Sequence, residues 1–352
     1  MKHKCSILIN PHSSPHLSQI YSGFTMLSQK GKIDLKLNTV QKGFYEKFVD
    51  KSKQHLKNAN YQYLMANIDD KKIFYDMHDS YKISSRVLNE VDIYFKRSYL
   101  KNHYKSNKVI PFGLNMRVNN PKVDLKRFYI EFNQRNFEGC LGALKLDKFM
   151  VKQAEGVPRT TDIKHRGKIT NSNIFFFTLL YDPNDNPERT KQKRKEIEEL
   201  NSSRIELAKV IKSNFRDRAT CGIMKNDYSR KIVPKELIMD KVTFTEYLDL
   251  INQHSICISS TGLHGSIPWK FANYIAGGKC IVTEKLLYLV PGIRKNVNYL
   301  EFETPEGCIQ NISKLIQNEK IRFKMSKNNL NYYNTSLKPD KIIKRSIDFV
   351  TD

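Results

Sequence analysis

Short apolar runs alternate with longer amphipathic stretches along the first third of the chain. Residues 5–9 form an apolar run that ends at Asn10-Pro11, as a strand that feeds a turn does, and residues 18–27 have helical spacing. Further strands are predicted at 34–40, 61–67, 72–77, 91–95 and 109–110, with a turn at Asp69-Asp70 and a helix at 81–89. Such alternation is typical of an α/β domain and not of an all-helical one.

The same pattern returns after residue 170. Residues 173–181, NIFFFTLLY, form a continuous apolar run suited to a central parallel strand. A long charged helix is predicted over 188–214, with an apolar stripe of Ile197, Leu200, Ile205, Leu207 and Ile211. Strands follow at 219–224, 255–259 and 279–283, and helices at 267–275 and at 243–253, the latter capped by Thr243 or Thr245. These elements predict a second α/β domain.

The two patterns are separated by a less regular stretch. Residues 116–170 contain Pro121, Pro158 and a polar segment at 160–168. We therefore predict a first domain over 1–115, an interdomain region with the start of the second domain over 116–170, and a second domain over 171–335. The last helix, within 336–352, is expected to return to the first domain.

Composition narrows the class of protein. The 352 residues suffice for two domains, and 60 Lys+Arg against 36 Asp+Glu give a net charge of +24. A basic surface attracts nucleic acid, anionic membranes or anionic polymers, although it can also serve solubility alone. The six cysteines show neither C-x-x-C pairs nor zinc-like spacing to histidine, so buried reduced thiols of a cytosolic protein are expected. The first apolar run is too short for a signal peptide, and no run approaches the roughly 18 apolar residues of a spanning helix.

Residues 255–284, SICISSTGLHGSIPWKFANYIAGGKCIVTE, carry the most specific pattern: strand, glycine loop, helix, glycine turn, strand. Gly262 and Gly265 allow the backbone to approach a ligand closely, and the start of the following helix favours phosphate. Ser266 offers a hydroxyl, Lys270 a cation, and His264 lies at the loop tip. The alternative is a glycine loop without a ligand, because this arrangement occurs in many α/β proteins.

Three segments, in this order, resemble GT-B glycosyltransferases of the group-1 type. The family's K-x-x-E-Y-hydrophobic-A-x-G-K-P-hydrophobic-V run is similar to KFANYIAGGKCIV at 270–282. Residues 109–115, VIPFGLN, resemble the segment that closes the family's first domain, and residues 92–98, DIYFKRS, resemble the strand before it. The resemblance covers about a third of the chain in detail. It implies two Rossmann-like domains facing each other across a cleft, the first binding the acceptor and the second the nucleotide-sugar.

The resemblance also implies which residues bind the donor. They are Thr261, Gly262, His264, Gly265, Ser266, Lys270, Asn273 and Arg194. Many relatives carry two glutamates eight positions apart, for the sugar and the ribose, and the matching positions here are Gly265 and Asn273. Relatives often clamp the diphosphate with an Arg and a Lys, for which Arg189, Lys193 and Arg194 are the available cations.

Candidate acid/base groups follow a strand of the first domain. The predicted strand 72–77 runs into Asp76, His78 and Asp79, which can exchange protons with a substrate. The alternative is structural, with Asp79 or Ser80 capping the helix predicted at 81–89. The loop Asn10-Pro11-His12 is a second candidate. We find no compact carboxylate motif for a metal and expect a metal-independent enzyme that needs no cofactor beyond its donor.

These observations predict a cytoplasmic glycosyltransferase, working at the inner face of the membrane or free of it. It would move a sugar from a nucleotide-sugar to a cell-surface polysaccharide, an anionic glycopolymer or a lipid-linked precursor. Two alternatives stay open: a nucleic-acid-directed protein, including a DNA-modifying sugar transferase, and a non-catalytic sugar-nucleotide binding protein. Against the former, the sequence shows no helix-turn-helix, zinc-finger or RNP-like pattern.

Overall fold

The computed structural model describes residues 2–9, 14–39, 62–118 and 171–352, and these form two units. Unit 1 holds the described residues up to 118 together with 288–291 and 334–352, and unit 2 holds 171–287 and 292–333. Each unit contains a six-stranded sheet with helices between its strands, so the prediction of two Rossmann-like α/β domains is confirmed. Most of the predicted interdomain region, from 119 to 170, lies outside the described residues.

Unit 1 has a mixed sheet in the order β2-β1-β3-β4-β5-β6. Its elements are β1 (His3–Ile9), α1 (Ser18–Gln29), β2 (Ile33–Thr39), β3 (Tyr63–Ile68), β4 (Lys71–Asp76), α2 (Ser85–Glu90), β5 (Ile93–Lys96) and β6 (Val109–Pro111). Strand β3 is antiparallel to both of its neighbours, β1 and β4, whereas the other pairs are parallel. The hairpin between β3 and β4 turns at Asp69-Asp70, as predicted, with Asp69 in the left-handed region at φ 51°.

Unit 2 has a fully parallel sheet in the order β12-β11-β10-β7-β8-β9. Its strands are β7 (Ile174–Thr178), β8 (Ala219–Met224), β9 (Ile238–Met239), β10 (Ile256–Ser259), β11 (Cys280–Glu284) and β12 (Tyr299–Phe302). Its helices are α3 (Lys191–Phe215), α4 (Ser229–Ile232), α5 (Phe244–Gln253), α6 (Trp269–Ala276), α7 (Pro305–Gln317) and α8 (Glu319–Tyr332). From β7 the chain adds β8 and β9 on one side, and it then crosses back to place β10, β11 and β12 on the other side. The strand order therefore reverses between β7 and β10.

Burial of the central strands of unit 2 accounts for their continuous apolar sequences. Every residue of β7 and of β10 is buried, because helices cover both faces of a parallel sheet. Helix α5 begins with a capping box, in which Thr243 and Glu246 satisfy each other's backbone N–H groups, so the predicted cap at Thr243 is confirmed. Helix α6 ends at Ala276 with Gly277 as its C-terminal cap, and Gly278 adopts φ +62°, which stops the helix before β11.

Helix α9 (Pro339–Thr351) lies in unit 1, although it follows unit 2 in the chain. Its residues Ile342, Ile343, Ile347 and Val350 are buried in the same core as β1, β4 and α1. A side chain at Gly23 of α1 would collide with the carbonyl of Pro339, so α1 and α9 are in close contact. The C-terminal segment therefore completes the core of the first unit.

Three helices start later than the sequence pattern predicts. Helix α2 begins at Ser85, and the Ser84 hydroxyl accepts a hydrogen bond from the Val87 amide. The alternative that Asp79 or Ser80 caps it is therefore wrong, and Asp79 pairs with Arg97 instead. Helix α3 begins at Lys191, since Thr190 provides its cap, and α6 begins at Trp269 because Pro268 keeps an extended ψ of 157°.

Candidate functional site

The point where strand order reverses in unit 2 is bridged by one buried arginine. Arg204 of α3 donates from Nη1 to the Leu179 carbonyl (2.5 Å), which follows β7, and from Nη2 to the Thr261 carbonyl (2.9 Å), which follows β10. Its Nε is buried and has no hydrogen-bond partner among the described residues. Burial lowers the pKa of Arg204 from its usual value. Ligands of open α/β sheets bind at such a reversal, at the carboxyl ends of the strands.

The loop from β10 to α6 is tightly folded. The Gly262 amide donates to the Ser266 carbonyl (2.8 Å), and a side chain at Gly262 would collide with the buried Ser266 hydroxyl. His264 and Gly265 are both left-handed, at φ 61° and 65°, a conformation that is costly for His264. The predicted loop residues Thr261, Gly262, His264, Gly265 and Ser266 thus form one compact turn at the end of β10.

Glu284, at the end of β11, fixes the first residue of this loop. Its Oε2 accepts hydrogen bonds from the Thr261 amide (2.7 Å) and the Thr261 hydroxyl (2.6 Å). Its Oε1 accepts from the Ser203 hydroxyl of α3 at 3.2 Å. Glu284 was not predicted, because its only signal in the sequence is its place one residue beyond the predicted strand 279–283.

Lys270, in the first turn of α6, is partly buried beside this loop. Its Nζ donates to the Ser260 hydroxyl (3.1 Å) and lies 5.3 Å from the centre of the Phe176 ring of β7. Burial of the ammonium group, followed by the charge of Arg204, lowers the pKa of Lys270 to about 7, although Glu284 acts in the opposite direction. The first turn of α6 also leaves backbone N–H groups without partners within the helix. An anion at this position would favour the charged form of the lysine.

The loop tip is attached to the start of α3 through a carboxylate. The His264 amide donates to Oε1 of Glu196, and Lys193 Nζ lies 2.8 Å from Glu196 Oε2 and 3.2 Å from His264 Nε2. Burial would raise the pKa of Glu196, but the hydrogen bonds from Lys193 and His264 outweigh it and lower the pKa. The ionised carboxylate of Glu196 therefore accepts the hydrogen bond of the His264 amide, which could otherwise be donated to a phosphate.

Two further predicted donor-binding residues, Asn273 and Arg194, lie on helices α6 and α3, outside this loop. Asn273 is buried in α6, at 5% exposure, and its Oδ1 accepts no hydrogen bond from the described residues. Arg194 donates from Nη2 to the Pro187 carbonyl (3.0 Å), at the turn before α3. Of the cations considered at this helix, Lys193 is the one whose contacts reach the loop. Arg204 was not foreseen, because arginine in a charged helix pattern gives no sign of burial.

A cavity of about 380 Å³ lies beside Thr261 within unit 2. Its polar lining comprises the hydroxyls of Ser203, Thr261 and Thr304 and the carboxylates of Glu206, Glu284 and Glu303. Lys285 is the basic residue of this lining, and it pairs with Glu303 at 3.1 Å. Hydroxyls can donate hydrogen bonds to sugar hydroxyls and accept from them, and carboxylates can accept hydrogen bonds from them.

In unit 1, the predicted acid/base residue Asp76 belongs to a buried ion pair. Its Oδ2 accepts from Lys96 Nζ (2.8 Å) and from the Tyr94 hydroxyl (2.6 Å), and its Oδ1 accepts from the His78 amide (2.9 Å). Asp76 is 1% exposed and Lys96 is 0% exposed. Burial lowers the pKa of Lys96 and raises that of Tyr94. The contacts of Asp76 are those of a residue that holds β4 and β5 together.

Asp79 belongs to a second polar cluster. Its Oδ1 lies 2.5 Å from Nη1 of Arg97, which also lies 3.3 Å from His16 Nδ1. Burial would raise the pKa of Asp79, but the charge of Arg97 and its hydrogen bond outweigh it and lower the pKa. Burial, together with Arg97, lowers the pKa of His16 to about 3. Sequence reasoning identified neither His16 nor Arg97 as a partner of Asp79.

His78 lies between these two clusters. Its ring stacks on Tyr63 at 5.3 Å between centres, with 24° between the ring planes, and its side chain is partly exposed. Asp76 pairs with Lys96 and Asp79 with Arg97, so each of these two carboxylates has a basic partner in unit 1. The second candidate loop, Asn10-Pro11-His12, lies outside the described residues.

Within residues 2–9, 14–39, 62–118 and 171–352, no group of three or more His, Cys, Asp or Glu side chains is arranged to hold a metal ion. None of the helices in the same ranges combines the length and hydropathy that crossing a bilayer requires. The cysteines within these ranges are free and buried, as predicted, while Cys140 lies outside them.

No protein-family model matches the chain, and no curated protein matches it. Solved structures that match include a glycosyltransferase from Rickettsia africae, with 12% identity over 95% of this chain and 80% of that one and a TM-score of 0.44. Staphylococcal TarM (S. aureus), bound to UDP, matches with 11% identity over 99% of both chains and a TM-score of 0.40. HepE from Anabaena, bound to UDP and glucose, matches with 8% identity over 98% of both chains and a TM-score of 0.37.

Proposed function

We propose that this chain is a glycosyltransferase that uses a nucleotide-sugar donor and holds the donor's diphosphate in unit 2. The observation that carries the proposal is the environment of Lys270. A lysine with its pKa lowered to about 7 lies at a helix start, against a serine hydroxyl, where the strand order of a parallel sheet reverses. Binding of an anion favours the protonated, charged form of such a lysine, and a diphosphate is such an anion.

The proposed chemistry follows from this placement. In glycosyl transfer, the bond between the anomeric carbon and a diphosphate oxygen breaks, and negative charge grows on the departing oxygen. Lys270, the Ser260 hydroxyl and the start of α6 are held in place before the reaction, so they can stabilise that charge without reorganising. Arg204 acts as a positioning residue, because its two hydrogen bonds join the loops that follow β7 and β10.

The family's two glutamates, for the sugar and the ribose, are replaced here by Gly265 and Asn273. With glycine at 265, we assign sugar-hydroxyl binding to Glu284 and the neighbouring cavity. With asparagine at 273, we assign ribose binding to the Asn273 amide, whose Oδ1 is buried and unpaired among the described residues. An amide binds a hydroxyl less strongly than a carboxylate does, so modest donor affinity is expected.

For the acceptor step we propose His78 as the general base. Its side chain is partly exposed, whereas Asp76 is buried against Lys96 and Asp79 pairs with Arg97. A histidine titrates near neutral pH, which suits proton removal from an acceptor hydroxyl. The net charge of +24 favours an anionic acceptor, such as a cell-surface glycopolymer or a lipid-linked precursor.

A panel of nucleotide-sugars tests the proposal directly. We expect one donor to bind and to be hydrolysed slowly to free sugar and nucleoside diphosphate, without added metal. Donor binding with no turnover in the presence of candidate acceptors would instead indicate a sugar-nucleotide binding protein. If no member of a panel covering the common bases and sugars binds, the proposal is wrong. Tight binding to a random DNA duplex across a salt series would favour the nucleic-acid alternative.

A further inference from the structure

Helix α8 has an inner face that is firmly held. Met325 lies in the core of unit 2, and Asn329 Nδ2 donates to the carbonyls of Lys279 (2.8 Å) and Asn298 (2.9 Å). Arg322 Nη1 donates to the Leu315 carbonyl (2.5 Å) and the Ile316 carbonyl (2.8 Å) of α7. Because these contacts fix the rotation of the helix about its axis, they also fix which residues it presents outward.

The outward face carries a phenylalanine among lysines. Lys320, Phe323, Lys324, Lys327 and Asn331 are all exposed, and at about 100° per residue they fall within an arc of roughly 100°. Phe323 is 62% exposed, more than any other large hydrophobic residue in the described ranges. We call these five residues the outer stripe of α8; it contains no acidic residue.

The lysines of the outer stripe are not neutralised locally. Within the described part of the chain, none of Lys320, Lys324 and Lys327 forms an ion pair. Other lysines of unit 2 do form ion pairs, as Lys295 does with Glu301 (2.9 Å) and Lys285 with Glu303 (3.1 Å). Three lysines without ion pairs among the described residues thus lie beside one exposed aromatic ring on the same helix face, with Phe323 at the edge nearest the exposed Glu319.

The geometry points to the outer stripe of α8 as a docking surface for an anionic bilayer. Phe323 would enter the interface between headgroups and acyl chains, and the three lysines would face the lipid phosphates. A basic helix face with an exposed aromatic residue binds anionic interfaces through buried apolar area and charge attraction together. Double-stranded nucleic acid would use the lysines but would leave Phe323 in water, so the bilayer is the partner that uses the whole stripe.

This inference is independent of the proposed enzyme activity. It assigns a surface of unit 2 that the donor site does not use, since α8 contributes no residue to the loop at 260–268 or to the cavity beside Thr261. A chain docked in this way would act on, or next to, lipid-linked molecules.

Vesicle co-sedimentation of the full chain tests the docking surface. We expect binding to vesicles of phosphatidylglycerol and phosphatidylcholine, little binding to phosphatidylcholine alone, and a decline with added salt. A triple variant, Lys320→Glu, Lys324→Glu and Lys327→Glu, should reduce partitioning by about a hundredfold or more, because each lysine contributes about fivefold before charge reversal. Phe323→Ser should reduce it severalfold with the net charge unchanged. Phe323 is exposed, so this variant should fold normally.

A matched control changes three exposed lysines on other elements, Lys209→Glu, Lys231→Glu and Lys235→Glu. It has the same net charge as the triple stripe variant and should keep most of the binding. Equal loss in the two triple variants would overturn the proposal, because binding would then depend on total charge. Full binding by Phe323→Ser would overturn it as well. If the stripe variants weaken binding to a DNA duplex as much as binding to vesicles, the surface is a general polyanion site instead.

Discussion

The ammonium group of Lys270 lies where burial and the guanidinium of Arg204 both disfavour its charge. A bound diphosphate would reverse that balance. We therefore expect Lys270→Ala to weaken nucleotide-sugar binding by about 1.5–3 kcal/mol, or roughly 10- to 150-fold, the range of a hydrogen bond to a charged group. Titration calorimetry measures the change. Lys279→Ala is the matched control, since Lys279 is a buried lysine of unit 2 that donates to the Asn252 carbonyl at 3.3 Å. Equal donor affinity in wild type and Lys270→Ala would contradict the assignment.

The same residue predicts a pH dependence of donor affinity. In the free protein the pKa of Lys270 is lowered to about 7, and a bound diphosphate raises it, so binding favours the protonated form. Affinity should be highest below about pH 7 and fall above it, by up to about tenfold per pH unit, until the pKa of the complex is reached. A nucleotide-sugar is the right probe because its diphosphate has no phosphomonoester proton that titrates near pH 6. Lys270→Ala should remove the slope, and a slope retained in that variant would assign it to another group.

The surroundings of His78, Asp76 and Asp79 predict different roles for these three residues. We expect His78→Ala to lower kcat by roughly a hundredfold or more while donor affinity and thermal stability stay nearly unchanged. Asp76→Asn should instead cost about 3–5 kcal/mol of stability, because it leaves the buried charge of Lys96 without its partner. Thermal unfolding and turnover measured on both variants distinguish the two roles. An active His78→Ala would exclude this base, and a stable but inactive Asp76→Asn would return the role to Asp76.

At the scale of elements, the loop from β10 to α6 depends on two consecutive left-handed residues. Gly265 has φ +65°, and an added Cβ would lie 3.2 Å from Leu287 Cδ2. Leu287 is exposed and can move, so the backbone conformation sets most of the cost. A left-handed non-glycine residue costs roughly 1–2 kcal/mol.

We therefore expect Gly265→Ala to lower stability by about 1–2 kcal/mol at most and to weaken donor binding by distorting the loop. Gly307→Ala is the control, because its Cβ would meet only ordinary contacts of 3.6 Å and helix α7 should gain slightly in stability. Denaturant unfolding and donor titration of both variants measure the effects. Unaltered donor affinity in Gly265→Ala would show that the loop shape does not matter for binding.

At the scale of the whole molecule, the C-terminal segment crosses back to complete unit 1. Truncation after Tyr333 removes Ile342, Ile343, Ile347 and Val350 from that core. At about 1.5–3 kcal/mol for each buried side chain, the loss is about 6–12 kcal/mol, comparable to the stability of a whole domain. We expect unit 1 to unfold and unit 2 to keep its own transition and its donor binding. Calorimetry with limited proteolysis checks this, and two intact transitions in the truncated chain would refute it.

Much of the fold follows from local pattern. The continuous apolar runs predicted the buried strands β7 and β10, and Thr243 predicted the start of α5, because burial on both faces and helix capping depend on residues close in the chain. The loop at 261–266 and Lys270 were predicted as donor-binding candidates on the same kind of evidence: a glycine loop between a strand and a helix is a local signal.

Other features depend on contacts between residues that are distant in the chain, and only the tertiary structure determines those contacts. Strand β3 is antiparallel to both neighbours, although its sequence is that of an ordinary strand. Arg204 reaches a carbonyl 57 positions away in the chain, and Glu284 holds Thr261 from 23 positions away. Asp76 loses its exposure because Lys96 and Tyr94 come from the adjacent strand. Charges and hydroxyls have no period along the sequence, so only the pairing of distant strands and helices determines which of them meet.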